Sequence, residues 1–211
     1  MYVNPALPAA PLPVAEPRRT QAERRETTRA KLLEAGRRLF AERGYEAVGS
    51  PELVAEAGVT RGALYHHFEG KRGLFAAVYE SIEEEIVAAF PFEQMAAGDP
   101  FAVLHAGIGE FLDLSLDAGV QQIALIDAPS VLGWEAWHEV QRRYGLGIVE
   151  AGLTAAIEAG QIKPLPLRAL ADALLGALIE AALSVARAED PRAAIADSKI
   201  VLEALLEGLR A

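Results

Sequence analysis

Thr60, Arg61, Tyr65, His66, His67 and Lys71 stand close together in one short stretch, with Gly62 and Ala63 between them. These side chains form no nucleophile and base arrangement. They are hydrogen-bond donors and cations, the groups that touch phosphates and base edges of DNA. Leu64 and Phe68 are four apart within the same stretch, so they share one helical face and point inward. Arg61, Gly62, Tyr65 and His66 are left on the opposite, outward face. Thr60 is the candidate N-cap that opens this helix, which runs through His67.

A second short helix must come before it. Ser50 followed by Pro51 is a helix-start signal, with the serine oxygen as cap and proline in the first turn. Leu53, Val54 and Ala57 supply the apolar face. Gly58 ends the helix, since glycine takes the left-handed backbone of a helix C-terminus cheaply, and Val59 fills the turn. Helix, short glycine-bearing turn and helix make a helix-turn-helix over about residues 48–67. In that motif the start of the second helix meets base edges in the major groove.

The run AGVTRGALYHHFEGKRGLF, Ala57 to Phe75, resembles the tetracycline-repressor (TetR) family of bacterial transcriptional regulators. The preceding LLEAGRRLFAERGYEA, Leu32 to Ala47, resembles the first helix and turn of the same domain, so the likeness spans about residues 25–85. It implies that Arg61 to His67 is the recognition helix, and that Tyr65, His67 and Lys71 lie where relatives touch the DNA backbone. The chain departs from the family at Gly49, where Thr or Ser is usual, and at Val54, where a small Ala is usual.

Charge agrees with this polarity. The 211 residues carry a net charge of −10. Residues 18–72 hold 12 Lys and Arg against 8 Asp and Glu, whereas residues 73–211 hold 8 against 21. A basic head on an acidic body is the pattern of a protein whose head alone meets phosphates. Arg18, Arg19, Arg24, Arg25, Arg29 and Lys31 precede and open the first helix, read over residues 28–43. Arg25 and Arg29 are the candidates for contacts to the phosphate backbone or the adjacent minor groove. Residues 1–20, rich in Pro and Ala, read as a disordered tail without the basic start and apolar core of a signal peptide.

An apolar content of 52% and a mean hydropathy of +0.17 fit a folded chain. No apolar run is expected to reach the length of a membrane span. The absence of cysteine excludes disulfides and fits a cytoplasmic protein. The expected fold is all-α: a DNA-binding head over 21–72 and a regulatory and dimerisation body over 73–211. The first body helix, Lys71 to about Ala89, points Leu74, Phe75, Val78, Ile82 and Ile86 inward, with Glu83, Glu84 and Glu85 read as a solvated face. The resemblance implies that this helix carries effector binding into a change of head separation.

Further helices are expected at Asp99–Ala118, Val120–Ile126 and Gly133–Ala159. Ile123 to Trp137, IALIDAPSVLGWEAW, resembles the body of some members of the same family. Aromatics gather here, including Phe90 and Phe92, and ordinary core explains any one of them. As a set with a few polar groups they suggest a ligand pocket. Its candidate residues are Phe101, His105, Phe111, Gln122, Asp127, Trp134, Trp137, His138 and Tyr144, with Gln121 as a further polar group. His105, Asp127 and His138 have no metal-ligand spacing, and no metal or cofactor is expected.

Leu167–Arg187 has a narrow polar stripe, Arg168, Asp172, Glu180, Ser184 and Arg187. Pro191–Leu209 follows with a leucine-rich face. Two such helices either complete one protomer's core or pair with their copies in a four-helix interface. The resemblance favours a homodimer through Leu174, Leu178, Ala181, Ala182, Leu202, Leu205 and Leu209. A two-fold dimer sets two recognition helices toward successive major grooves and implies a palindromic operator.

Catalysis finds no support. There is no Gly-rich phosphate loop and no His-Glu-x-x-His run, and His138-Glu139 is an isolated pair. The expected function is a dimeric repressor of double-stranded DNA, released by a small, mostly apolar effector. The rival is a helical small-molecule-binding protein or enzyme with a vestigial head.

Overall fold

The computed structural model describes residues 20–89 and 98–211. The tail through Arg19, and Phe90 and Phe92, lie outside the described residues. Helices account for almost all of the rest, and no strand forms among the described residues.

Helix α1, Gln21–Ala47, starts earlier than the apolar stripe alone suggests. A capping box is responsible. Thr20 Oγ1 accepts from the Glu23 amide, and the Glu23 carboxylate accepts from the Thr20 amide. Gly44, at φ 76°, breaks the last turn as expected. Helix α2, Ser50–Glu56, is capped by Gly49 with no side-chain bond, so Ser50 is its first residue and not its cap. Gly58 reverses the chain at φ 62°. Helix α3, Arg61–Phe68, is capped by Thr60, whose hydroxyl accepts from the Ala63 amide at 3.3 Å.

Helix α4, Lys71–Ala89, crosses from head to body. In the head it contributes Leu74 and Phe75 to a core with Leu32, Phe40, Leu53, Leu64 and Phe68. Phe75 meets Phe40 and Tyr45 edge-on at 5.3 and 5.1 Å between ring centroids.

In the body, α5 (Pro100–Leu114) is capped by Asp99. It ends earlier than expected, where the buried Ser115 hydroxyl turns back to the Leu112 carbonyl. The next stretch is not one α-helix. A single turn, α6 (Ala118–Val120), leads into a π-helical segment, Gln121–Asp127, and then α7 (Ala128–Leu132). The buried Trp137 indole donates to the Ala124 carbonyl of that segment at 3.1 Å.

Helices α8 (Trp134–Glu158), α9 (Leu167–Arg187) and α10 (Pro191–Glu207) complete the body. Helix α8 packs against α4, α5 and α9, and α10 covers α5 and α9. By length and composition α9 is apolar enough to cross a membrane, with a mean hydropathy of 1.8 over its best window. That corrects the expectation that no such run exists. It packs here as a core helix, with Leu174, Leu175, Leu178, Ile179, Ala182 and Leu183 buried.

Candidate nucleic-acid interface and effector cavity

The outer face of α3 presents Arg61, Gly62, Tyr65 and His66 to solvent, while Leu64 and Phe68 are buried beneath. Tyr65 is 49% exposed, an unusual position for a large ring, and the Arg61 guanidinium lies 5.6 Å from its centroid. A β-carbon on Gly62 would meet nothing closer than 3.9 Å, so the helix surface is shallow there and open to a ligand's backbone. His66 and His67 are edge to face at 5.2 Å. Burial, then the charges of His66, Arg25 and Arg29, hold the His67 imidazole below its ordinary range. The positive end of α1 therefore stands beside α3. Arg25 is exposed, whereas Arg29 is half-buried with its guanidinium 5.1 Å over the Phe68 ring.

Lys71 has a structural role besides the expected one. Its ammonium donates to the Tyr45 and Val48 carbonyls at 2.8 and 2.9 Å and sits 3.8 Å over the Tyr45 ring. These bonds clamp the turn between α1 and α2 and use two of the ammonium's three donors, so Lys71 shapes the head as well as standing where a phosphate contact is expected. Ser50 is half-buried and Ala63 is partly covered.

The same turn is tied to the body. The Tyr45 amide donates to Asp127 Oδ2 at 2.7 Å, and Arg72 donates to the Val131 and Leu132 carbonyls at 3.2 Å each. Those carbonyls end α7 and lack helical partners, which is why a guanidinium suits them. Asp127 is thus a junction residue. Gln122 is its neighbour there: its amide nitrogen lies near where a side chain on Gly44 would stand.

A partly open cavity of about 100 Å³ lies between α4, α5, α8 and α9, with the exposed Glu110 and Leu114 at its edge. Its walls are apolar and mostly aliphatic, with Ile86, Leu104, Ile108, Leu114, Ile148, Val149, Leu174, Leu175 and Leu178 beside the Phe111 ring. Glu83 and Gln141 are its buried polar groups. Glu83 is only 5% exposed, which corrects the reading of Glu83–Glu85 as one solvated face. The Gln141 amide nitrogen lies 2.9 Å from both the Glu83 carboxylate and the Tyr79 hydroxyl. Burial pushes the Glu83 carboxyl up to about 7, against the opposing hydrogen bonds from Tyr79 and Gln141.

Of the nine residues expected in a pocket, Phe111 alone lines this cavity. Phe101 is buried under the Arg210 guanidinium at 3.7 Å, and His105 pairs with Glu203 at 3.7 Å on the α5–α10 surface. Trp137 is core, with its polar edge spent on Ala124. Trp134 is 65% exposed, and it and His138 border a wide, open depression on α8. Tyr144 bonds Glu84 at 3.2 Å, on the outer side of α4. Tyr79, Glu83 and Gln141 were missed. Helical spacing carried a signal for them: Glu83 falls four after Tyr79, and Gln141 four after Trp137, on inward stripes.

The dimer candidates divide similarly. Leu174, Leu178, Ala182 and Leu202 are buried within one protomer, because α9 and α10 turn those positions toward α5 and α8. Ala181 and Leu209 are partly covered. Leu205 faces outward at 57% exposure, beside Ile200 and Val201, which are likewise exposed.

Comparison with known proteins agrees with this geometry. Residues 101–209 match the family model described as tetracyclin repressor-like, C-terminal domain. Residues 32–78 match the model for bacterial regulatory proteins of the tetR family. A crystal structure of a TetR-family transcriptional regulator from Pectobacterium atrosepticum is 37% identical. It covers 92% of this chain and 98% of its own, with a TM-score of 0.81. The transposon Tn10 TetC protein of Escherichia coli is 29% identical over 143 residues, 68% of this chain and 72% of that protein. The structure of RolR in complex with resorcinol shares the fold at 24% identity and a TM-score of 0.64, over 90% of this chain and 95% of its own.

Proposed function

The chain belongs to the TetR family of transcriptional regulators, and on that premise we propose a ligand-responsive repressor that binds a palindromic operator as a homodimer. The observation that carries the reading is α3. A helix-turn-helix keeps Arg61, Tyr65 and His66 on a solvent-facing surface with no internal task. A vestigial head would have no reason to preserve an exposed tyrosine capped by arginine, so the rival reading of a binding protein or enzyme is not favoured.

In this reading residues 21–72 are the DNA-binding unit and residues 73–211 the regulatory unit, working in the cytoplasm. Arg61, Gly62 and His66 meet base edges, while Arg25, Thr60, Tyr65 and His67 meet phosphates. Dimerisation uses the outward face of α10, Ile200, Val201 and Leu205, which are exposed although large and apolar. Contiguous exposed apolar surface of this kind marks an interface.

The cavity between α4, α5, α8 and α9 receives the effector. At about 100 Å³ it is smaller than the roughly 150 Å³ aliphatic cavity that accommodates benzene, so the effector must be compact and reach into the cavity's open edge. RolR, which shares the fold, takes the small aromatic resorcinol. An effector that prefers one position of α4 shifts the population of head spacings by its differential affinity. The Tyr45–Asp127 and Arg72–α7 bonds transmit the shift, because they join the head to the segment that α8 holds through Trp137.

The test is selection of operator DNA from random duplexes by the full-length protein. A palindromic site bound by paired protomers is expected. Recovery of no common sequence would refute the repressor reading.

A further inference from the structure

Resting on the cavity as the effector site, we propose that it selects a compact apolar molecule bearing one positively charged amine, held by ion pairing to Glu83. The charged residues lining the cavity are Glu83 and Glu110, both acidic, and no Lys, Arg or His lines it. The groups around Glu83 leave it without a countercharge. Helix α4 offers Tyr79, and α8 offers Gln141. Helix α5 brings Phe111, Leu114 and, at the edge of the cavity, Glu110. The π-helical segment and α9 bring Ala124, Leu125, Ile179 and Ala182. Among the described residues no cation lies within ion-pairing distance of this carboxyl.

A buried acid with a hydrogen bond but no counterion is costly to ionise. A ligand cation supplies the missing charge, and the aliphatic walls take the ligand's apolar body. The Gln141 amide remains to orient the carboxylate. A ligand carboxylate would instead add a second buried negative charge, and a neutral alcohol would gain a hydrogen bond without the charge.

The pH signature has a definite sign. Burial pushes Glu83 up to about 7, so below that value the free protein holds a proton that an incoming amine must displace. Affinity for an amine therefore rises as pH climbs through about 7. It levels off once Glu83 is ionised and while the amine remains protonated.

The probes are benzylamine, benzyl alcohol and benzoate, which share one apolar body and differ in charge. Each is titrated calorimetrically into the full-length protein at about pH 6 and about pH 8. Benzylamine is expected to bind about tenfold or more tightly than benzyl alcohol, with benzoate weakest. Only benzylamine should gain affinity at the higher pH. Glu83→Gln removes the charge at nearly constant shape and is expected to abolish both the amine preference and the pH gain. Equal binding of alcohol and amine, preference for benzoate, failure of all three probes to bind, or an amine preference retained in Glu83→Gln would each overturn the assignment. The wild-type comparison decides the matter even if the variant fails to fold. Sequence-specific operator binding on the same preparation stands or falls separately, so failure of the amine class is distinguishable from failure of the regulator reading.

Discussion

Arg61 and Lys71 both look like DNA contacts by position, yet they differ in how far the fold already engages them. Arg61 is exposed, and its guanidinium lies over the Tyr65 ring. Lys71 is committed to two carbonyls of the α1–α2 turn. Arg61→Ala should weaken operator binding about tenfold to a hundredfold and leave thermal unfolding unchanged. Fluorescence-polarisation titration and calorimetry check the two halves of that statement, and unaltered affinity would remove Arg61 from the interface. The α3 face was legible in the sequence because Leu64 and Phe68 fix which side is buried. The task of Lys71 was not, since a carbonyl clamp depends on how the turn at Gly44 folds back. Glu83 was misread because three consecutive glutamates look solvated, although its position four residues after Tyr79 placed it on the inner stripe of α4.

At the scale of elements, α3 and α4 approach so closely that the junction tolerates only glycine at position 73. A β-carbon there would lie 1.6 Å from the Phe68 carbonyl oxygen, which is backbone and has no rotamer to escape into. Gly73→Ala should destabilise the protein by about 2–4 kcal/mol, measured by chemical denaturation, and should loosen the head first. An unfolding midpoint equal to wild type would show that α3 and α4 are not held in this arrangement. The main helices of the body were readable from apolar periodicity, and α9 begins and ends at the expected residues. The stretch 118–132 was not readable. A π-helical segment shifts hydrogen bonding to the fifth residue without changing composition, and what holds it is distant: the Trp137 indole and the head's bond to Asp127. The cavity between α4, α5, α8 and α9 was hidden for a related reason. Aromatic residues suggest a pocket in the sequence, whereas this cavity is walled by Phe111 and by aliphatic residues brought together from four helices.

At the scale of the whole molecule, the chain separates a DNA-reading surface from an acidic body, joined by α4 and by the Tyr45–Asp127 and Arg72–α7 bonds. In the proposed dimer, it is pairing that gives head spacing a meaning. Leu205 and Ile200 are exposed on α10 although both are large and apolar. Leu205→Asp should yield a monomer in sedimentation equilibrium, with operator affinity lost because one head holds only a half-site. A dimer of wild-type stability would locate the interface elsewhere. Expecting Leu174, Leu178, Ala182 and Leu202 at that interface failed because a sequence shows which helix is apolar all round, not which face its own protomer covers.

The most direct test of the central claim is a titration of full-length protein on the selected palindromic duplex and on a scrambled duplex, at about 50 and 200 mM salt. A sequence-reading basic head predicts tight binding to the palindrome, much weaker binding to the scramble, and a steep loss of affinity on both as salt rises. Equal binding to the two duplexes would contradict a head that reads DNA sequence.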